Sequence, residues 1–240
     1  MKYFLSAFLF FSLTACATFK APQEFSYIPV KQNTYTLATW QKITDDKAPI
    51  YIFVEGDGNA FNYHGLPTKD PTPKSTFLRE MAFKNTNKNI VYLARPCQYI
   101  KTQNCKEEDW TSGRFSPKIV SDTARAIKQI AKDKEIVLIG YSGGALLSGL
   151  IIKNYPEIKI KKWITVAGVL NHKEWTEFFG DEPLTNSLNL RTLPTVLQTH
   201  YVGTKDKTVP LELSKKWIKE ENLIIVPKAK HNGPFDLSKI

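Results

Sequence analysis

EIVLIGYSGGALLSGLII, residues 135–152, sets the reading of the whole chain. Ile136–Ile139 is a short apolar run rich in β-branched residues, as a central strand buried on both faces requires. Gly140-Tyr141-Ser142-Gly143-Gly144 follows and fits G-x-S-x-G, and Ala145–Ile152 reads as a buried helix. The spacing has a physical reason. A sharp turn lifts Ser142 Oγ out of the sheet's carboxyl edge, and its strained backbone leaves little room for side chains at Gly140 and Gly144. Gly143 offers its N–H at the start of the helix, where backbone donors and the helix dipole favour an anion.

Strand, tight turn and helix around a serine are the context of a nucleophile elbow. On these residues the chain resembles the α/β-hydrolase family, and the resemblance runs from about Thr34 to Ile240. It implies an α/β fold with a mostly parallel central sheet, flanking helices and a small cap. It also implies a triad in the chain order serine, then Asp or Glu, then histidine, each at the end of a strand.

Ahead of the elbow, Thr34–Trp40 alternates as an early antiparallel strand, and Ile50–Val54 reads as a buried one. Ile50–Val54 runs into Glu55-Gly56-Asp57-Gly58-Asn59, the place of the oxyanion loop in the resembled family, where many members carry His-Gly and then a donor residue. Glu55 stands in the histidine position, a departure that spares the mechanism because backbone N–H groups make the hole. Asp57 is the expected second donor beside Gly143, with Gly58 as the neighbour that could replace it. Ile90–Ala94, Ile160–Val166, Thr195–Val202 and Leu223–Val226 read as further strands. Thr76–Lys84 (with Ser75 as N-cap), Pro117–Lys132 and Pro210–Lys219 read as helices, and the βαβ rhythm supports a mostly parallel sheet. Arg95–Phe115, with its two cysteines, Trp110 and Arg114, reads as an ordered loop beside the site. Ala167–Pro194, with His172, Trp175, Phe178 and Phe179, reads as a small cap containing a short helix.

Asp206 lies in Gly-x-x-Asp-x-x-Val-Pro just past a strand, which matches the family's acid, and Asp181 in the cap is its rival. His231, about 25 residues on, follows the last strand and matches the base that takes the Ser142 proton. His200 sits inside an apolar strand and reads as a core residue, whereas His64 and His172 lie where substrate could touch them. The resemblance implies a serine hydrolase, with carboxylic-ester hydrolysis through an acyl-enzyme on Ser142 as the default chemistry. A weakly active binding or envelope protein and an acyltransferase remain compatible with the same residues. No metal motif is present and no cofactor is expected. The sequence is silent on which small-molecule or lipid ester is taken and on oligomeric state.

Met1–Cys16 reads as lying outside the fold. Lys2 precedes an apolar run, Tyr3–Leu13, too short to span a bilayer. Leu13-Thr14-Ala15-Cys16 resembles the lipobox of bacterial lipoproteins, which implies cleavage before Cys16 and lipid modification of its thiol. No Asp follows Cys16, which points to the outer membrane, facing the periplasm. Residues 17–33 read as a tether and a lead-in to the first strand, and 34–240 as the hydrolase domain. The remaining pair, Cys97 and Cys105, reads in an exported protein as one disulfide closing a small loop. The net charge of +10 suits contact with anionic lipid, and no nucleic-acid-binding motif is present.

Overall fold

The computed structural model describes residues 19–237. The segment read as a signal and the lipidation expected at Cys16 fall outside the described residues. The strands are β1 (Ser26–Tyr27), β2 (Val30–Lys31), β3 (Thr36–Leu37), β4 (Thr39–Ile43), β5 (Ile50–Val54), β6 (Asn89–Leu93), β7 (Ile136–Tyr141), β8 (Ile160–Val166), β9 (Gln198–Gly203) and β10 (Leu223–Val226). The α-helices are α1 (Phe77–Lys84), α2 (Pro117–Ala131), α3 (Gly143–Asn154), α4 (His172–Phe179) and α5 (Leu211–Lys215).

Eight strands make one sheet in the order β1-β4-β6-β5-β7-β8-β9-β10. From β6 to β10 every neighbouring pair is parallel, and the antiparallel pairs are β4 with β6 and β1 with β4. Because side chains alternate across a strand, the apolar runs of β5 and β7 feed two cores. Ile52, Val54 and Leu138 join Ile119 and Ile127 of α2 and Leu146 and Leu150 of α3 on one face. Phe53, Val137 and Ile139 join Leu78 and Ala82 of α1 and Phe235 near the carboxyl end on the other. Burial on both faces is why these strands read as continuous apolar runs.

Several boundaries differ from the sequence reading. The strand expected over Thr34–Trp40 is split into β3, which pairs with β2, and β4 of the main sheet, and β9 begins at Gln198 rather than Thr195. The tether assigned to 17–33 belongs in part to the body. Phe25 is buried, Phe19 packs on Trp40 with ring centroids 4.7 Å apart, and β1 pairs with Trp40 and Gln41. The N-cap of α1 is Thr76, not Ser75, although Ser75 Oγ accepts a hydrogen bond from Phe77 N at 3.2 Å. The helix expected over Pro210–Lys219 ends at Lys215, after which the chain turns and Trp217 Nε1 donates to Glu174 Oε2 of α4 at 3.1 Å. Cys97 and Cys105 form the disulfide.

Candidate active site

At the end of β7, Ser142 takes φ 51° and ψ −124°, a left-handed conformation that non-glycine residues adopt at a cost. Three backbone bonds hold it there: Ser142 N donates to Val166 O, and Ser142 O accepts from Ala145 N and Val169 N. The flanking glycines are set by close approach. A Cβ on Gly140 would lie 2.5 Å from Gly144 O, and one on Gly144 would lie 2.4 Å from Val54 O. Only without those carbons does α3 start this close to β5 and β7.

Asp206 leaves the end of β9 and His231 follows β10. His231 Nε2 lies 3.1 Å from Ser142 Oγ, and His231 Nδ1 lies 2.9 Å from Asp206 Oδ2. A carboxylate only accepts, so the proton on the ring sits at Nδ1 and leaves Nε2 to accept from the serine. The second oxygen of Asp206 accepts from Thr208 N at 2.8 Å and Val209 N at 2.9 Å. Tyr141 lies under the ring, with centroids 5.1 Å apart, and its hydroxyl donates to Asn232, the residue after His231.

The other histidines and Asp181 stand outside the Ser142–His231–Asp206 chain, and of them His172 lines the same cleft. His200 is buried between Thr165 Oγ1 at 2.8 Å and Gln198 Oε1 at 2.9 Å, and burial pushes its imidazole down to about 4. His172 opens α4 and stacks on Phe115 at 6.0 Å, while His64 and Asp181 are exposed. Among the described residues no group of three or more His, Cys, Asp or Glu is placed to hold a metal ion.

Asp57 of the loop after β5 packs directly on Gly143: a Cβ built on that glycine would lie 2.1 Å from Asp57 Oδ1. Among the described residues, neither Gly143 N nor Asp57 N donates to a protein acceptor, and Gly143 is first in its helix, where N–H groups lack an intrahelical partner. Gly58, whose N–H likewise donates to no protein acceptor among the described residues, also lines the cleft, while a Cβ on it would meet Pro71 O and Gln98. The Asp57 carboxylate points at two arginines, accepting from Arg95 Nη1 and lying 3.2 Å from Arg114 Nη1. Arg95 also donates to Arg114 O and so ties the loop after β5 to the loop before α2. Glu55, in the position of the expected histidine, is buried, accepting from Tyr92 Oη at 2.6 Å and Gly56 N at 2.9 Å. Burial pushes its carboxyl up, against the pull of those two bonds. Arg95 and the Tyr141–Asn232 tie carry no motif and were not singled out from the sequence.

Above Ser142 lies a cleft of about 390 Å³, lined among others by Phe61, Phe115, Val169, His172, Trp175 and His231. No protein-family model matches the sequence, and no curated protein matches it. Solved structures do. An α/β serine hydrolase without a lid from Xanthomonas campestris superposes with a TM-score of 0.53 at 12% identity, over 88% of this chain and 87% of its own. The fold is that of the α/β hydrolases. Est1E from Butyrivibrio proteoclasticus shares 15% identity over 88% of this chain and 91% of its own, with a TM-score of 0.55. A predicted CIB-like hydrolase from Thermoplasma acidophilum shares 18% over 86% and 88%, also at 0.55. At such identities the α/β-hydrolase likeness is one of fold.

Proposed function

We propose that the protein is a serine hydrolase that cleaves carboxylic esters through an acyl-enzyme on Ser142. The observation that carries this is the unbroken chain of contacts from Asp206 through His231 to Ser142 Oγ. His231 takes the hydroxyl proton as Oγ attacks the ester carbonyl, then gives that proton to the leaving alkoxide. Water, deprotonated by the same nitrogen, attacks the acyl-enzyme, and the proton returns to Oγ as the acid departs. Asp206 holds the ring in the required tautomer and stabilises the imidazolium. Gly143 N and Asp57 N, both without a protein acceptor, are the donors for the tetrahedral oxyanion. Open donors support an active enzyme over a binding protein that keeps only the scaffold.

The proposal extends to place. With Cys16 lipidated, the domain would be anchored in the bacterial envelope, at the outer membrane and facing the periplasm. A disulfide at Cys97–Cys105 suits that oxidising compartment. Turnover of a 4-nitrophenyl ester series tests the activity. Wild type should hydrolyse at least the short-chain members and Ser142→Ala none, and an active Ser142→Ala would refute the assignment.

A further inference from the structure

Arg114 lies on the wall of the cleft that holds Ser142, and only 6% of it is exposed. A guanidinium brings five N–H donors. Among the described residues the Arg114 side chain meets the Asp57 carboxylate at 3.2 Å and lies over the Phe61 ring at 5.5 Å, while its Nε is buried without a hydrogen-bond partner. Nor is Asp57 its counter-ion alone, because the other carboxylate oxygen is taken by Arg95, itself 4% exposed. Two buried cations share one carboxylate.

On the cleft wall nothing else pairs with them, and Asp109, the buried carboxylate that lines a small cavity with both arginines, is bridged to Lys118 at 2.6 Å. The ionisable groups lining the cleft are Glu55, Asp57, Lys74, Arg114, Tyr141, His172 and His231. Glu55 is engaged by Tyr92 and Gly56, and burial pushes its carboxyl up. His172, held down by burial and by the charge of Arg114, is an imidazole that cannot serve as a counter-ion in any case, and Lys74 adds an exposed cation at the rim. A buried charge is costly unless paired, and a guanidinium binds carboxylates and phosphates with particular strength.

We propose that Arg114, with Lys74 at the rim, forms an oxyanion-binding subsite, so that the substrate is an ester carrying a carboxylate or phosphate group. This rests on the hydrolase reading of the same cleft. Asp57 lies between the subsite and Gly143, which places the substrate's anionic group on the far side of Asp57 from the ester being cleaved.

The test compares 4-nitrophenyl butyrate, which is neutral, with mono-4-nitrophenyl succinate, which is anionic, on the wild-type chain at low and high salt. The anionic ester should lead in kcat/KM by about tenfold or more at low salt, and the lead should shrink as salt rises. Arg114→Gln should abolish the lead and Arg114→Lys should keep part of it. Inhibition of butyrate hydrolysis by free succinate or by glycerol 3-phosphate then tells a carboxylate preference from a phosphate one. Equal kcat/KM for the two esters, or a lead that survives Arg114→Gln, overturns the proposal. Whether Ser142 takes a fluorophosphonate adduct judges the hydrolase reading separately. If it takes none, calorimetric titration of the wild-type chain with succinate and with glycerol 3-phosphate decides the subsite alone, and absence of binding by both overturns it.

Discussion

Asp206 faces two ways: one carboxylate oxygen lies 2.9 Å from His231 Nδ1, and the other accepts from Thr208 N and Val209 N in its own loop. In the proposed triad, the residue that orients the base is thus itself held by the backbone it caps. It is 6% exposed, so few waters compete for it.

That division predicts different outcomes for two substitutions. Asp206→Asn keeps an acceptor for the loop but presents the wrong partner to Nδ1, so kcat should fall by roughly three to four powers of ten with little loss of stability. Asp206→Ala should lose as much activity and about 1–2 kcal/mol besides, because two buried N–H groups lose their acceptor. Kinetics with thermal melts on both variants checks this; equal stability of the two would contradict it.

Arg95 neutralises a carboxylate that packs against Gly143. With Arg95→Met that charge would be left to Arg114 alone and would oppose the oxyanion forming nearby. For a neutral ester, kcat should fall by about 10- to 100-fold while KM changes little. Arg95→Lys should recover part of the loss. A KM effect without a kcat effect would argue for a substrate contact instead.

His200 makes stability depend on pH. Burial lowers its pKa from 6.5 to about 4, so the unfolded chain takes up a proton that the folded chain refuses. The stabilising contribution is therefore complete above pH 6.5 and is lost as pH falls towards 4, amounting to about 3 kcal/mol by linkage. In melts across that range, His200→Gln should remove this part of the acid sensitivity, and an unchanged slope would contradict the assignment.

The Cys97–Cys105 bridge, with a separation of eight residues, closes a small loop in the segment that carries Arg95 and Arg114. The double variant Cys97→Ser/Cys105→Ser should lose about 2–3 kcal/mol, or roughly 5–10 °C in Tm. Calorimetry decides it, with reduced wild type as the comparison.

The sequence was legible where local pattern and burial coincide. β5 and β7 are buried on both faces and so read as apolar runs, and Ser142, Asp206 and His231 each follow a strand in an order the fold reuses. It was opaque where long-range contact decides. Two residues suffice for β1 because β4 supplies its partner, and Phe19 and Phe25 find their cover at Trp40 and Phe83. The Asp57–Arg95 contact spans 38 positions between two loops, with no periodicity to announce it. Just past the end of α5, Trp217 meets Glu174 of α4, a contact across 43 positions that no local pattern announces.

The most direct test of the triad is to treat the purified chain with a fluorophosphonate and read the intact mass. The geometry predicts one adduct that maps to Ser142 and is abolished in His231→Ala, because the hydroxyl is nucleophilic only while Nε2 accepts its proton. A folded chain that takes no adduct, or one labelled equally without His231, would contradict it.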